Sequence, residues 1–288
     1  MDRRKFMQAS LCAAAAVSGG RWARAADAPG SKMKFGLVTY LWGRDWDLPT
    51  LIANCEKAEM DGVELRSTHA HGVEPTLNAK ERSEVKKRFA DSSVVCAGLG
   101  SNERYDNPDP AVVTAAIEKT KAFLKLSSDV GSSGVKVKPD RLYPDVPRDK
   151  TIEQIGKSLN EVARYGADLG QQVRLEVHGG CAQLPTIKAI MDVADHPNAT
   201  VCWNSNRQDL EGAGLEKNFK MVADRFGATA HIRELHDPAY PYKQLMKLLV
   251  DIDYAGFVMI EASTKPADRV AAMRRQRRVW EQLIGRRA

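Results

Sequence analysis

Side chains able to ligate a cation or carry a proton stand at the ends of short apolar runs along this chain. Glu64 and Arg66 close the run GVELR, with His69 and His71 just beyond it. Lys136 and Lys138 lie in GVKVK, and Glu176 and His178 in VRLEVH. Asn204 ends ATVCWN with Asn206 nearby, His231 and Arg233 end ATAHIR, and Glu261 ends GFVMIE. In an extended run, residues two apart face the same way, so Lys136 pairs with Lys138 and Glu176 with His178. A buried, unpartnered carboxylate costs several kcal/mol or takes up a proton, so Glu176 and Glu261 need a cation beside them. Two answers are open. Glu176 and Glu261, the His231 imidazole and the Asn204 amide oxygen form a donor set suited to a divalent metal such as Mn²⁺, Mg²⁺, Co²⁺ or Zn²⁺. Salt bridges to Lys138, Arg233 and Arg66 would serve as well. His196 beside Pro197 and His236 in His236-Asp237-Pro238 read as loop and turn residues.

The elements that carry these residues repeat with regularity. Extended runs are expected at Lys34–Tyr40, Gly62–Arg66, Val94–Leu99, Gly134–Lys138, Val173–His178, Ala199–Asn204, Ala228–Arg233 and Gly256–Glu261. Each precedes a segment with apolar residues at helical spacing: Leu48–Met60, Asn78–Ala90, Pro110–Leu126, Thr151–Leu169, Leu184–Ala194, Leu215–Phe226, Tyr242–Val250 and Ala267–Ile284. Short strands alternating with helices imply a parallel sheet with crossover connections. Eight such units across residues 33–286 predict one α/β domain, a closed (β/α)8 TIM barrel, whose chemistry sits at the C-terminal strand ends. Tyr40-Leu41-Trp42-Gly43-Arg44 follows the first strand in place of a glycine-rich phosphate loop, which argues against a dinucleotide fold.

Residues 1–25 are expected to be an export signal rather than part of the fold. Arg3, Arg4 and Lys5 precede the alanine-rich stretch Leu11–Val17, which is too short to span a bilayer, and Ala23-Arg24-Ala25 offers a cleavage site. Arg3-Arg4 followed by Phe6 resembles a twin-arginine signal, placing the mature chain in the periplasm or otherwise outside the cytoplasm. No membrane association is expected after its removal. The formal charge of the 288-residue chain is +6. It falls close to neutral once Arg3, Arg4, Lys5, Arg21, Arg24 and Asp2 are set aside. With no basic stripe interleaved with aromatics, a nucleic-acid partner is not expected. Cys55, Cys96, Cys181 and Cys202 fit no zinc spacing, and Cys96 and Cys202 read as buried free thiols.

The strand-end set resembles the xylose-isomerase-like barrel superfamily, the sugar phosphate isomerase/epimerase group. The resemblance is carried by Gly62-Val63-Glu64-Leu65, Leu175-Glu176-Val177-His178-Gly179-Gly180, Val201-Cys202-Trp203-Asn204-Ser205-Asn206, His231-Ile232-Arg233-Glu234 and Gly256–Glu261. It implies one metal held by Glu176, Asn204, His231 and Glu261, with Asn204 standing where the family carries aspartate. Arg207 stands where a histidine is common. The implied chemistry is proton transfer beside a carbonyl through an enediolate, with Glu176 and Glu261 as the acid/base pair. Lys138, His178, Arg207 and Glu64 are the implied contacts to a carbohydrate substrate. Export favours an unphosphorylated sugar and an isomerase or epimerase. A keto-glycoside lyase or hydratase on the same barrel, and a sugar-binding barrel without catalysis, are the alternatives. A phosphodiesterase or repair nuclease ranks last.

Overall fold

The computed structural model describes residue 30 and residues 32–286; the expected export signal lies outside the described residues. Eight strands alternate with eight helices. They are β1 (Lys34–Val38), α1 (Leu48–Lys57), β2 (Gly62–Arg66), α2 (Ala79–Ala90), β3 (Val95–Arg104), α3 (Pro110–Asp129), β4 (Gly134–Lys138) and α4 (Arg148–Asp168). The second half continues with β5 (Gln172–Glu176), α5 (Leu184–Val193), β6 (Ala199–Cys202), α6 (Leu215–Lys220), β7 (Thr229–Ile232), α7 (Tyr242–Asp251), β8 (Phe257–Ile260) and α8 (Arg269–Leu283).

The strands pair in parallel in the order β6-β5-β4-β3-β2-β1-β8-β7. Bridges Val201↔Phe226 and Asn204↔His231 bring the β6 and β7 edges together. The ring is therefore the single (β/α)8 barrel expected from the alternation. Two of the polar strand-end residues, Asn204 and His231, meet at this seam.

Helix faces show why the segments fold against the sheet. In α1 the buried residues are Leu48, Leu51, Ile52 and Cys55, one stripe at helical spacing. Asp47 starts that helix by accepting from the Thr50 N–H at 2.9 Å, and Asn78 with Glu81 forms a capping box at α2. Each aliphatic side chain buried between helix and strand contributes roughly 1.5–3 kcal/mol. Inside the barrel, Val38, Ala97, Phe257 and Met259 form a separate apolar floor with Tyr40 packed on it. Among the described residues, Cys55, Cys96, Cys181 and Cys202 are buried and free, as the sequence suggested for Cys96 and Cys202. No helix among the described residues is long and apolar enough to cross a membrane.

Some boundaries differ from the sequence expectation. β3 runs on to Arg104, because Ser101 Oγ donates to the Lys136 carbonyl at 2.8 Å and Arg104 pairs with Lys138 after a register shift. α6 stops at Lys220 rather than Phe226, and a short 3-10 turn at Ala223–Arg225 follows. That break lets Phe226 pack edge-on to Trp203 and Phe219. His178, Asn204 and Glu261 lie just past the ends of their strands, at the mouth.

Candidate active site

β3 makes room for charge inside the barrel. Its run Ala97-Gly98-Leu99-Gly100 puts two glycines beside β2. A Cβ at Gly98 would lie 2.8 Å from Arg174 Nη1 and 3.4 Å from Glu64 Oε2, and one at Gly100 would lie 3.0 Å from Glu64 Oε1. The missing side chains leave the space that the Glu64 carboxylate and the Arg174 guanidinium fill. Arg174 is fully buried and is held by the Ala97 carbonyl, Ser133 Oγ and Gln172 Oε1.

Above this floor the strand ends converge. Glu176 closes β5 and is 1% exposed. Its Oε2 takes an ion-paired hydrogen bond from Lys136 Nζ of β4 at 2.7 Å, and its Oε1 accepts from Asn204 Nδ2 at 2.8 Å. His231 of β7 lies between two carboxylates, with Nε2 3.2 Å from Glu64 Oε1 and Nδ1 3.4 Å from Glu176 Oε1. Glu261 follows β8 and is paired with Arg233, whose Nη1 is 3.2 Å from Oε2 and donates to the Glu261 carbonyl at 3.0 Å. Among the described residues, neither His231 nitrogen has a hydrogen-bond partner, nor do the buried Asn204 Oδ1 and the two Glu64 oxygens.

The electrostatics follow from these neighbours. Burial pushes the Glu176 carboxyl up, but Lys136 and His231 outweigh it and hold the group well below the usual carboxylate range. Burial likewise opposes ionisation of Glu64, and His231, Lys136 and Arg174 again prevail. Burial works against the Lys136 ammonium, yet Glu176, Glu64 and Glu261 keep it charged. Lys138, one layer further out, has burial and the Lys136 charge both acting to lower it.

The other residues singled out from sequence take outer positions. His178 turns its Nδ1 to Asp140 Oδ1, and Asp140 also pairs with Arg104 at 3.0 Å, so the imidazole is held to the β4 side of the rim. Arg207 is exposed. With Ser205, Arg233, Tyr240 and Tyr242 it lines a cavity of about 600 Å³ that adjoins the centre through Arg233. His71 is structural: its ring bonds the Arg66 carbonyl at 2.8 Å and accepts from the Val73 N–H at 3.0 Å. His69 touches Thr39 and is pushed down to about 4 by burial and nearby Arg66. Three participants were missed by sequence reasoning in their roles: Lys136, Arg174 and Asp140. The spacing of Arg174 two residues before Glu176 was the available signal for the second.

Asp209 lies beneath the cavity wall. Burial pushes its carboxyl from the ordinary 3.8 up to about 7, against bonds from the Tyr240 hydroxyl at 2.6 Å and the Asn206 N–H at 2.9 Å. The folded state thus binds this proton more tightly than the unfolded chain. Stability from this group is complete below the unfolded value and is lost as pH rises through the folded one. Asp209→Asn keeps an accepting oxygen and should flatten that decline. Urea melts of both proteins at about pH 5 and about pH 8 check it, with the variant gaining on the wild type by ~1–3 kcal/mol at the higher pH. An equal decline in both would refute the assignment.

Glu176, His231 and Glu261 form a buried group whose ligand atoms lie within 4.8 Å of one another, and by that measure they could hold a metal ion. The unpartnered Asn204 Oδ1 and His231 nitrogens point the same way. The charges around them do not fit a divalent ion. Glu176 and Glu261 are already paired with Lys136 and Arg233, the charges of His231, Lys136 and Arg174 offset Glu64, and both oxygens of Glu176 are taken by protein donors.

Fold and site together define a TIM barrel with a polar, carboxylate-lined centre at the C-terminal strand ends. The chain belongs to the xylose isomerase-like TIM barrel family, whose model matches residues 52–283. No curated protein matches the sequence. Among solved structures, the chain is similar to the 3-keto-D-glucoside 4-epimerase of E. coli (TM-score 0.73, 15% identity, 87% of this chain and 99% of that one). It is also similar to a D-psicose 3-epimerase determined in the presence of D-fructose (TM-score 0.75, 17% identity, 88% and 100%). A third similar structure is the IolI protein with a bound zinc atom (TM-score 0.74, 14% identity, 88% and 98%). At these identities the likeness is one of fold.

Proposed function

We propose that the chain is an exported isomerase or epimerase that moves a proton beside the carbonyl of an unphosphorylated sugar. The observation that carries this reading is the convergence of Glu176 and Glu261, from β5 and β8, on one buried centre with His231. A carboxylate on one face of the sugar can take the proton from carbon while a carboxylic acid on the other returns one, with an enediolate between. The charge that develops on the enediolate oxygens needs positive groups in place beforehand. Lys136 and Arg233 stand beside the two glutamates and meet that need. The sugar's remaining hydroxyls would extend into the cavity lined by Arg207, Tyr240 and Tyr242.

The preference for an unphosphorylated substrate rests on the Arg3-Arg4 export signal. A second reading, a keto-glycoside lyase or hydratase, draws support from the likeness to a 3-keto-glucoside epimerase. An enediolate with a glycosidic oxygen beta to its carbonyl can expel that oxygen instead of being reprotonated. Incubation with free ketoses, 3-keto-glucosides and ketose phosphates, followed by NMR of the products, tests both. Epimers from the free sugars are expected. An unsaturated product would favour the lyase, and turnover confined to the phosphates would overturn the export-based substrate class. Binding of the free sugars with no turnover would instead identify a non-catalytic barrel.

A further inference from the structure

Lys136 does more at this centre than neutralise a carboxylate. It is 1% exposed and bonds Glu176 Oε2 at 2.7 Å. That bond uses one of its three N–H groups, and no other hydrogen bond of the Lys136 ammonium is found among the described residues. Its ammonium therefore stands against one of the three metal-capable side chains with two donors to spare. Asn204, the neutral residue at the barrel seam, donates to the other Glu176 oxygen rather than offering its own oxygen there.

The charge count is decisive. Three buried carboxylates, Glu64, Glu176 and Glu261, face three side-chain cations, Arg174, Lys136 and Arg233, with the His231 imidazole between Glu64 and Glu176. A divalent ion on Glu176, His231 and Glu261 would add two uncompensated charges in a buried place, beside an ammonium that already bonds one of its ligands. Like charges at such separations repel strongly away from water. From this we infer that the Lys136 ammonium is the resident cation of the site, supplying positive charge and donors to a substrate oxygen, and that a divalent ion enters only by displacing it. The inference takes its location from the proton-transfer reading above, but its test involves no sugar. Its failure would leave that reading standing, and the reverse also holds.

The experiment is a Co²⁺ titration of the chelator-treated full chain, followed by visible absorption and by thermal melting, for wild type, Lys136→Met and Lys136→Gln. Wild type is expected to bind Co²⁺ weakly, with no rise in Tm. Removing the ammonium should tighten Co²⁺ binding about 100-fold and make Tm rise with the ion. Should Lys136→Met unfold without metal, its recovery on adding Co²⁺ supports the inference, and Lys136→Gln, which keeps a polar partner for Glu176, gives the affinity directly. Uptake of one equivalent by wild type in the micromolar range would overturn it. So would equally weak binding by wild type and both variants, which would show that the lysine is not what holds the ion's place.

Discussion

Glu176→Gln and Glu261→Gln should each lower kcat by about 10²- to 10⁴-fold, the range typical for loss of a positioned acid or base. The two variants differ in their structural cost. Glu261 is at the edge of the centre, 6% exposed, and its partner Arg233 reaches partly into solvent, so a glutamine there keeps an acceptor for the guanidinium. Its loss should fall on kcat with KM little changed. Glu176 holds both the Lys136 ammonium and the Asn204 amide. Glutamine can accept from only one of them through its single oxygen, so this variant should also lose stability. Steady-state kinetics and urea melts on both variants separate the two effects. A sugar-binding barrel without catalysis would instead show weakened binding and no turnover to lose.

The second large effect belongs to Lys136→Met. Breaking a buried ion pair from one side costs ~3–5 kcal/mol, because the remaining charge is left without a partner. With the ammonium gone, the Glu176 carboxyl should rise, with His231 and the Asn204 amide still opposing burial. Neutralising the carboxylate as well, in Lys136→Met/Glu176→Gln, should restore part of the loss. The coupling between the two positions is read from a double-mutant cycle in urea denaturation. Additive losses would show that the 2.7 Å contact contributes nothing specific to the fold.

Much of this architecture was legible in the sequence. The alternation of short β-branched runs with amphipathic segments sets the eightfold repeat, since a strand buried on both faces and a helix buried on one leave different periodicities. Polar strand ends such as Glu176 and Glu261 stood out because charge is expensive in that setting. The expected salt bridge from Arg233 forms, whereas Lys138 and Arg66 do not pair with either glutamate within ion-pair distance among the described residues.

What spacing could not show is which partner each residue meets. Lys136 and Lys138 share a face, but their reach across to β5 depends on the register Lys136↔Arg174 and Val137↔Leu175, which places Glu176 on the diagonal from Lys136. Arg174 in the middle of a buried strand makes sense only once Gly98 of β3 is known to lie beside it. The resemblance implies His178 as a substrate contact; what spacing could not show is that its Nδ1 is held by Asp140, a residue from a loop that no periodicity describes.

The most direct test of the proton-transfer centre is wild-type turnover of the free ketoses and 3-keto-glucosides in D₂O, with deuterium followed by NMR at the carbon beside the carbonyl. Two glutamates exchanging protons through an enediolate predict incorporation at that carbon, lost together with turnover in Glu261→Gln. Product formed with no deuterium at that position, or incorporation undiminished in Glu176→Gln and Glu261→Gln, would contradict it.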